Sequence, residues 1–536
     1  MQQRAKRGPS LRQYRQGKSQ HIQYRPHLQI VRHVLFVHAE ESFQANESSM
    51  ALAHQTTMQS WQIGQGASTV GECHRTVALQ TSVRLQAFDD QSHLAFLHAT
   101  CVKQIFSDDL STLIDVSTTS PTASEFDALR IDSERLMDRL MSLAEISPIA
   151  GGGNCRLALT DDDRDGRDLV VSWMRDLNMD ISIDAVGNII ACWNVGSGAP
   201  VMTGSHIDTV RTGGKFDGNY GVLAGLEVVE TCQRNGYIPS RPLAVGIFTD
   251  EEGARFAPDM LGSLVYVGGM TTEEALDITA IDGPRFGDEL VRIGYAGSAP
   301  CPGPVPHSFV ELHIEQGPLL EANNVRIGAV TGVQGISWQE VTVVGQSNHA
   351  GTTPMSLRHD PTYVAAEIAV FLRQLSARFG DHQVCTVGKM DVFPNLINVV
   401  AARVTLTLDV RNTDENLLQQ AEQEIAEFLK QIAAAEGVTI TTKKLARFEP
   451  VVFDPRVIDI VESIAKQQSN TVERMPSGAG HDAQMLARVC PSAMIFVPSV
   501  NGISHNPAEH TDTEDLVAGA NILLHTMLTL CATDLG

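Results

Sequence analysis

A chain of 536 residues is longer than one hydrophobic core usually fills, so two or more domains are expected. Its 43% apolar and 19% charged residues describe a globular protein, and no apolar run reaches the roughly 18–20 residues of a membrane span. The formal charge of −23 argues against nucleic acid or an anionic membrane as the main partner. Nine cysteines, an odd number without CxxC spacing, argue against a disulfide framework and fit a reducing, cytoplasmic setting.

Residues 1–39 carry eight Arg or Lys and no Asp or Glu, and 40–125 are rich in Ser, Thr, Gln and His without sustained periodicity. Residues 1–125 are read as an extension with three competing explanations: a targeting segment, a disordered interaction arm, or an over-extended reading frame with Met50, Met58 or a later start. The absence of a clear amphipathic Arg/Ser helix ranks targeting last. From 126 the texture changes. Asp127 to Ile146 places Leu129, Leu136, Leu140, Leu143 and Ile146 at helical spacing. Apolar strand-like runs follow at Asn188–Cys192, Pro200–Thr203, Leu243–Thr249, Phe309–Ile314 and Ala493–Val497, alternating with helical patterns such as Gly221–Asn235 and Val457–Gln468. Near-continuous apolar strands between helices predict an α/β domain with a covered sheet. Between them, strands at 336–344, 384–392, 399–411 and 438–446 and helices at 361–379 and 415–436 give the order βαββαβ, a ferredoxin-like pattern. The expected domains are therefore a catalytic part at 126–330, an inserted small domain at 331–445, and the catalytic part resuming at 446–536.

Five polar sites each lie at or just beyond an apolar run: His206 with Asp208, Asp217 between glycine-rich flanks, Glu251-Glu252, His313, and His505. Ligand sites of open α/β sheets gather at the carboxyl ends of strands, so these positions can converge. Imidazole nitrogens and carboxylate oxygens suit borderline divalent metals, namely Zn, Mn, Co or Ni. A metal pair needs a bridging group, and Asp217 is assigned that role. His206 and His313 would complete one metal, Glu252 and His505 the other. Asp208 is placed to hold the second nitrogen of His206. Glu251 would take the proton of a metal-activated water and pass it to the leaving nitrogen. A second HxD at His510-Thr511-Asp512 is read as coincidence, and an acid pair alone often marks a solvated face. Glu251-Glu252, however, follows a wholly apolar strand, where such a face is hard to build.

GSHIDTV, GGKFDGNYGVLAG, TDEEGARF, ELHIEQGP, HAGTTPM, FPNLINV, SGAGHDA and ISHNPAEH resemble, in unbroken order from about 126 to 532, the signatures of the hydantoinase/carbamoylase family of amidases. That resemblance implies an α/β fold: a zinc-peptidase-like catalytic domain with a covered mixed sheet, plus an inserted ferredoxin-like lid that mediates homodimerisation. It implies the same two-metal ligand set. It further implies that Gln316, His349, Asn398 and Arg411 contact substrate, with His349 polarising the scissile carbonyl and Arg411 gripping a carboxylate. The SGAGHDA stretch, with Gly478, would line the site; His481 and Asp482 receive no role. The 125 N-terminal residues have no counterpart in the family pattern.

The activity implied is hydrolysis of N-carbamoyl-L-amino acids to amino acid, ammonia and carbon dioxide. The nearest alternatives are β-ureidopropionase and allantoate or ureidoglycolate hydrolysis, whose substrates share a ureido group and a carboxylate. A dimeric scaffold that has lost catalysis is opposed by the presence of every ligand and of Glu251. A dipeptidase or aminoacylase is opposed by ELHIEQGP and by the DVRN arginine, Arg411.

Overall fold

The structure, a computed structural model, describes residues 123–536; the reading of the N-terminal extension lies outside the described residues up to 122. The strands, in chain order, are β1 (Asp180–Ile183), β2 (Ile189–Trp193), β3 (Val201–Ser205), β4 (Leu243–Ile247), β5 (Ser308–Ile314), β6 (Ile327–Val333), β7 (Gly335–Val344) and β8 (Asn348–His349). They continue with β9 (Val384–Phe393), β10 (Val399–Val400), β11 (Arg403–Asn412), β12 (Thr439–Phe448), β13 (Val451–Val452), β14 (Val472–Ser477) and β15 (Ser492–Val497).

Nine strands form one mixed sheet in the order β1-β2-β4-β3-β5-β15-β6-β13, with β14 pairing to β6. Its centre is parallel: β4, β3, β5 and β15 run the same way. Every residue of these four strands is buried. That explains their near-continuous apolar sequence, because a strand covered on both faces has no solvent side to make polar. Helices Asn219–Arg234, Pro455–Gln467 and Thr513–Ala532 pack on the sheet and on one another. Each fully buried Val, Leu or Phe in this core contributes about 1.5–3 kcal/mol of transfer free energy. Thr513–Ala532 is apolar and long enough to match a membrane span, yet 72% of its most apolar window is buried inside the protein, as a core helix would be.

The second sheet has four antiparallel strands in the order β12-β7-β11-β9, and helices Pro361–Phe379 and Glu415–Glu436 pack against it. The chain order is the expected βαββαβ. This layer has its own apolar core, with Val341, Val343, Val404, Leu406, Ile368 and Leu429 buried together. Phe371 and Phe428 stack between its helices, ring centroids 4.1 Å apart.

Three expectations shift at their edges. The helix read over 127–146 is two helices, Ala123–Ala128 and Ser133–Ala144, because the Asp132 side chain accepts the N–H of Arg135 and starts a new helix there. The strand read at 399–411 divides into β10 and β11. The expected boundaries at 331 and 445 fall inside β6 and β12: β6 belongs to the large sheet through Val333, and β12 pairs with β7 as far as Phe448. Apolar periodicity runs through both crossovers, so it carries no mark of where one sheet hands over to the other.

Candidate metal centre

The parallel direction of β3, β4, β5 and β15 puts their carboxyl ends at one edge of the sheet. His206 follows β3, Asp250 to Glu252 follow β4, His313 is the penultimate residue of β5, and His505 lies in the loop beyond β15. Asp217 enters from the turn before helix Asn219–Arg234. That turn needs Gly218, whose φ of 65° and ψ of −51° disfavour any side chain. A Cβ on Gly218 would also come within 2.4 Å of the His206 ring.

The five expected ligands meet around Asp217. Its Oδ1 lies 3.2 Å from His313 Nε2 and 3.7 Å from His206 Nε2. Its Oδ2 lies 3.5 Å from His505 Nε2, which is 3.2 Å from Glu252 Oε2. Two groups result, His206–Asp217–His313 and Asp217–Glu252–His505, each with ligand atoms within 4.8 Å of one another and with Asp217 common to both. The first group is buried; His505 stands at the opening, its side chain 51% exposed.

The imidazoles are turned for this work. His206 Nδ1 lies 2.9 Å from the Asp208 carbonyl, and His313 Nδ1 lies 2.8 Å from the Ile314 carbonyl. An Nδ1–H donated to a carbonyl leaves the Nε2 lone pair directed inward, the tautomer a metal ligand needs.

Asp208 therefore reaches His206 through its main chain and not through the carboxylate, as the HxD spacing had suggested. The carboxylate instead accepts the backbone N–H groups of Glu251 and Glu252 at 3.3 and 3.4 Å. It holds the turn that presents the two glutamates, and burial pushes its carboxyl up to about 6.

The electrostatics of the pocket call for positive charge. Burial works against a charged His206, yet Asp208, Glu252 and Asp217 outweigh it and raise that imidazole to about 9. The hydrogen bond that His505 donates to Glu252 leads the causes that raise that imidazole to about 9. Burial would raise Asp217, but His313, His206 and His505 pull it well below the usual carboxylate range. Glu251 moves the opposite way: burial, then the charges of Asp482, Glu252, Glu311 and Asp217, push its carboxyl well above the usual range. Glu251 Oε2 lies 3.4 Å from His206 Nε2. Both oxygens of buried Asp482 and the Oε1 of Gln316 have no hydrogen-bond partner. Crowded, buried carboxylates faced by imidazoles fit the binding of divalent metal at these groups.

The expected substrate residues fall in three places. Gln316 is at the cluster, its Nε2 donating to Asp217 Oδ2 at 2.8 Å. Arg411 reaches across from β11 and donates through Nη1 to the Gly478 carbonyl at 2.7 Å, while Nε and Nη2 pair with Asp409. His349 on β8 and Asn398 just before β10 are exposed neighbours, the Asn398 carbonyl accepting the N–H of Ala350 at 2.9 Å. Among the described residues no hydrogen bond or ion pair links those two to the five ligands. His481, unassigned from sequence, is buried edge-on to His313 with centroids 4.6 Å apart, and its Nε2 lies 2.9 Å from Ser477 Oγ. Burial holds it well below its ordinary pKa, and with Glu311 and His313 it forms a further buried group that could hold a metal ion.

Sequence reasoning missed Arg156, Ser504 and Glu509. Arg156 is wholly buried, donating through Nε to the Ile207 carbonyl and through Nη2 to Asn219 Oδ1, and so spans the two loops that carry His206 and Asp217. Ser504 Oγ lies 3.1 Å from Asp217 Oδ2. No spacing rule marks such residues; only ISHNPAEH contained two of them.

Residues 202–529 match the family described as Peptidase family M20/M25/M40, whose members depend on divalent metals. An N-carbamoyl-L-amino-acid amidohydrolase from Rhizobium meliloti is 40% identical over 74% of this chain and 96% of its own length. The allantoate amidohydrolase of Escherichia coli is 37% identical over 64% of this chain and 85% of its own. Among solved structures, a hydantoinase/carbamoylase family amidase from Burkholderia multivorans is 42% identical, covers 76% of this chain and 100% of its own, and superposes with a TM-score of 0.74. The chain belongs to peptidase family M20/M25/M40 and is an amidohydrolase of its hydantoinase/carbamoylase branch.

Proposed function

We propose that this chain hydrolyses N-carbamoyl-L-amino acids to the L-amino acid, ammonia and carbon dioxide, using two divalent ions (Zn, Mn, Co or Ni) held by His206, Asp217, Glu252, His313 and His505. The observation that carries the proposal is the two-sided ligand set around Asp217 with Glu251 beside it. When bound, the ions would supply Lewis-acid activation of the attacking water and the scissile carbonyl. Glu251 receives the water's proton and returns it to the leaving nitrogen, a role suited to a buried carboxyl that takes up a proton readily. Asp208 fixes Glu251 and Glu252 through their backbone N–H groups. Gln316 steadies Asp217 from the substrate side.

Arg411 takes the substrate carboxylate with its planar fork, exchanging Asp409 for the ligand. His349 and Asn398, neighbours at the two-stranded β8–β10 ribbon carried between strands of the second sheet, close on the ureido group when that domain acts as a lid. We place the enzyme in the cytoplasm; the seven cysteines among the described residues are unbridged, which suits a reducing compartment. We also propose a homodimer, through the edge of the second sheet.

The second reading is allantoate hydrolysis, favoured by the 37% identity to the Escherichia coli allantoate amidohydrolase. N-carbamoyl-L-methionine, N-carbamoyl-β-alanine and allantoate, each assayed for ammonia with manganese, nickel, cobalt and zinc in turn, separate the readings. Preferred turnover of the carbamoyl-α-amino acid supports the proposal, and preferred turnover of allantoate overturns it. Glu251→Gln in the same panel should lose turnover by orders of magnitude; full activity would end its assignment as base.

A further inference from the structure

We infer that Glu509 is a positioning residue that sets the second half of the metal pair, the half built from Asp217 Oδ2, Glu252 and His505. The inference rests on the two-metal reading and extends it to a residue outside the ligand set. Glu509 is buried, with 5% of its surface exposed, and its two carboxylate oxygens serve two different loops. Oε1 accepts the backbone N–H of Phe216 at 3.0 Å and of Asp217 at 3.3 Å, fixing the turn that presents the bridging carboxylate. Oε2 lies 3.1 Å from Ser504 Oγ, in the residue just before His505.

That hydroxyl is also 3.1 Å from Asp217 Oδ2, the oxygen that faces His505 and Gln316. The first loop closes tightly around the carboxylate: a Cβ on Gly214 would lie 2.0 Å from it. On its own side Glu509 anchors a short turn, its N–H donating to the Asn506 carbonyl at 2.9 Å. One side chain therefore locks the loop of Asp217 to the loop of His505. The other half of the pair has separate supports, the Asp208 and Ile314 carbonyls behind His206 and His313, and neither involves Glu509. Asp217 serves both halves, but Ser504 and His505 serve the second alone, so loss of Glu509 should loosen the second half more than the first.

The test is titration of the chelator-stripped full chain with Co(II), read by calorimetry and by the visible spectrum of each bound equivalent. Wild-type protein should bind two equivalents. Glu509→Ala should lose at least about 10-fold more affinity for the second equivalent than for the first, the scale typical of residues that orient metal ligands. Glu509→Gln keeps an acceptor for the two N–H groups and a donor for Ser504, so it should restore the second equivalent to within about threefold. Ser504→Ala carries the same test if Glu509→Ala does not fold, and should again weaken the second equivalent more than the first. Two equivalents of wild-type strength in the alanine variants, or equal weakening of both, would overturn the inference. A wild-type chain that binds fewer than two equivalents would instead remove the two-metal reading beneath it.

Discussion

Arg411 Nη1 donates a 2.7 Å hydrogen bond to the Gly478 carbonyl, joining β11 of the four-stranded sheet to the loop after β14 of the nine-stranded one. The rest of its guanidinium is engaged by Asp409, and its centre sits 5.8 Å from the Trp338 ring, which pairs in register with Asp409. A substrate carboxylate that takes this arginine must compete with Asp409 while keeping the fork in place.

Arg411→Lys should therefore fail to substitute, since an ammonium cannot present two parallel donors. Losing a charged hydrogen bond of about 1.5–3 kcal/mol corresponds to roughly a 10–150-fold fall in kcat/KM. The fall should appear mainly as a higher KM, with thermal stability little changed. Steady-state kinetics beside a melting curve make the check. A lower Tm with wild-type KM would reduce Arg411 to a strut between the sheets.

Gly218→Ala tests how closely the bridging turn fits the histidine beside it. Alanine in that conformation costs about 1–3 kcal/mol in backbone strain, and its Cβ would press on the His206 ring. The variant should fold with a lower Tm and bind metal at least about 10-fold more weakly at the His206–His313 side. Metal content after dialysis measures this. Unaltered metal retention would show that the turn can yield without moving His206.

The edge of the second sheet tests the dimer. Among the described residues β9 pairs with β11 on one side only; its last residue, Phe393, and Leu396 just beyond it are exposed, with Ile397 wholly exposed. An apolar run on an open strand edge invites pairing with a second chain. Wild-type protein should be a dimer by light scattering and Ile397→Asp a monomer. A monomeric wild type, or a dimeric variant, would contradict the placement of the interface.

What could be read from sequence, and what could not, follows from the range of each interaction. The convergence of His206, Glu252 and His313 was legible because each lies at or just beyond the end of a parallel strand, whereas Asp217 comes from the turn before a helix and His505 from the loop beyond β15. The βαββαβ order of the second sheet was legible from periodicity. HxD spacing cannot say whether the carboxylate or the carbonyl of Asp208 meets the imidazole; here the chain turns so that the carbonyl does. Glu509 and Arg156 escaped because they act on loops 292 or 293 and 51 or 63 residues away in the chain. No local pattern encodes such partners. Arg411 also pairs with Asp409, a contact between alternate residues of one strand that lie on the same face.

Two cations flanking Asp217 are what the proposed chemistry most requires, and anomalous diffraction from crystals grown with manganese or zinc measures them directly. Two peaks are expected, one against His206 and His313 and the other against Glu252 and His505, with the Asp217 carboxylate between them. A single peak away from Asp217, or none at these five side chains in metal-saturated crystals, would contradict it.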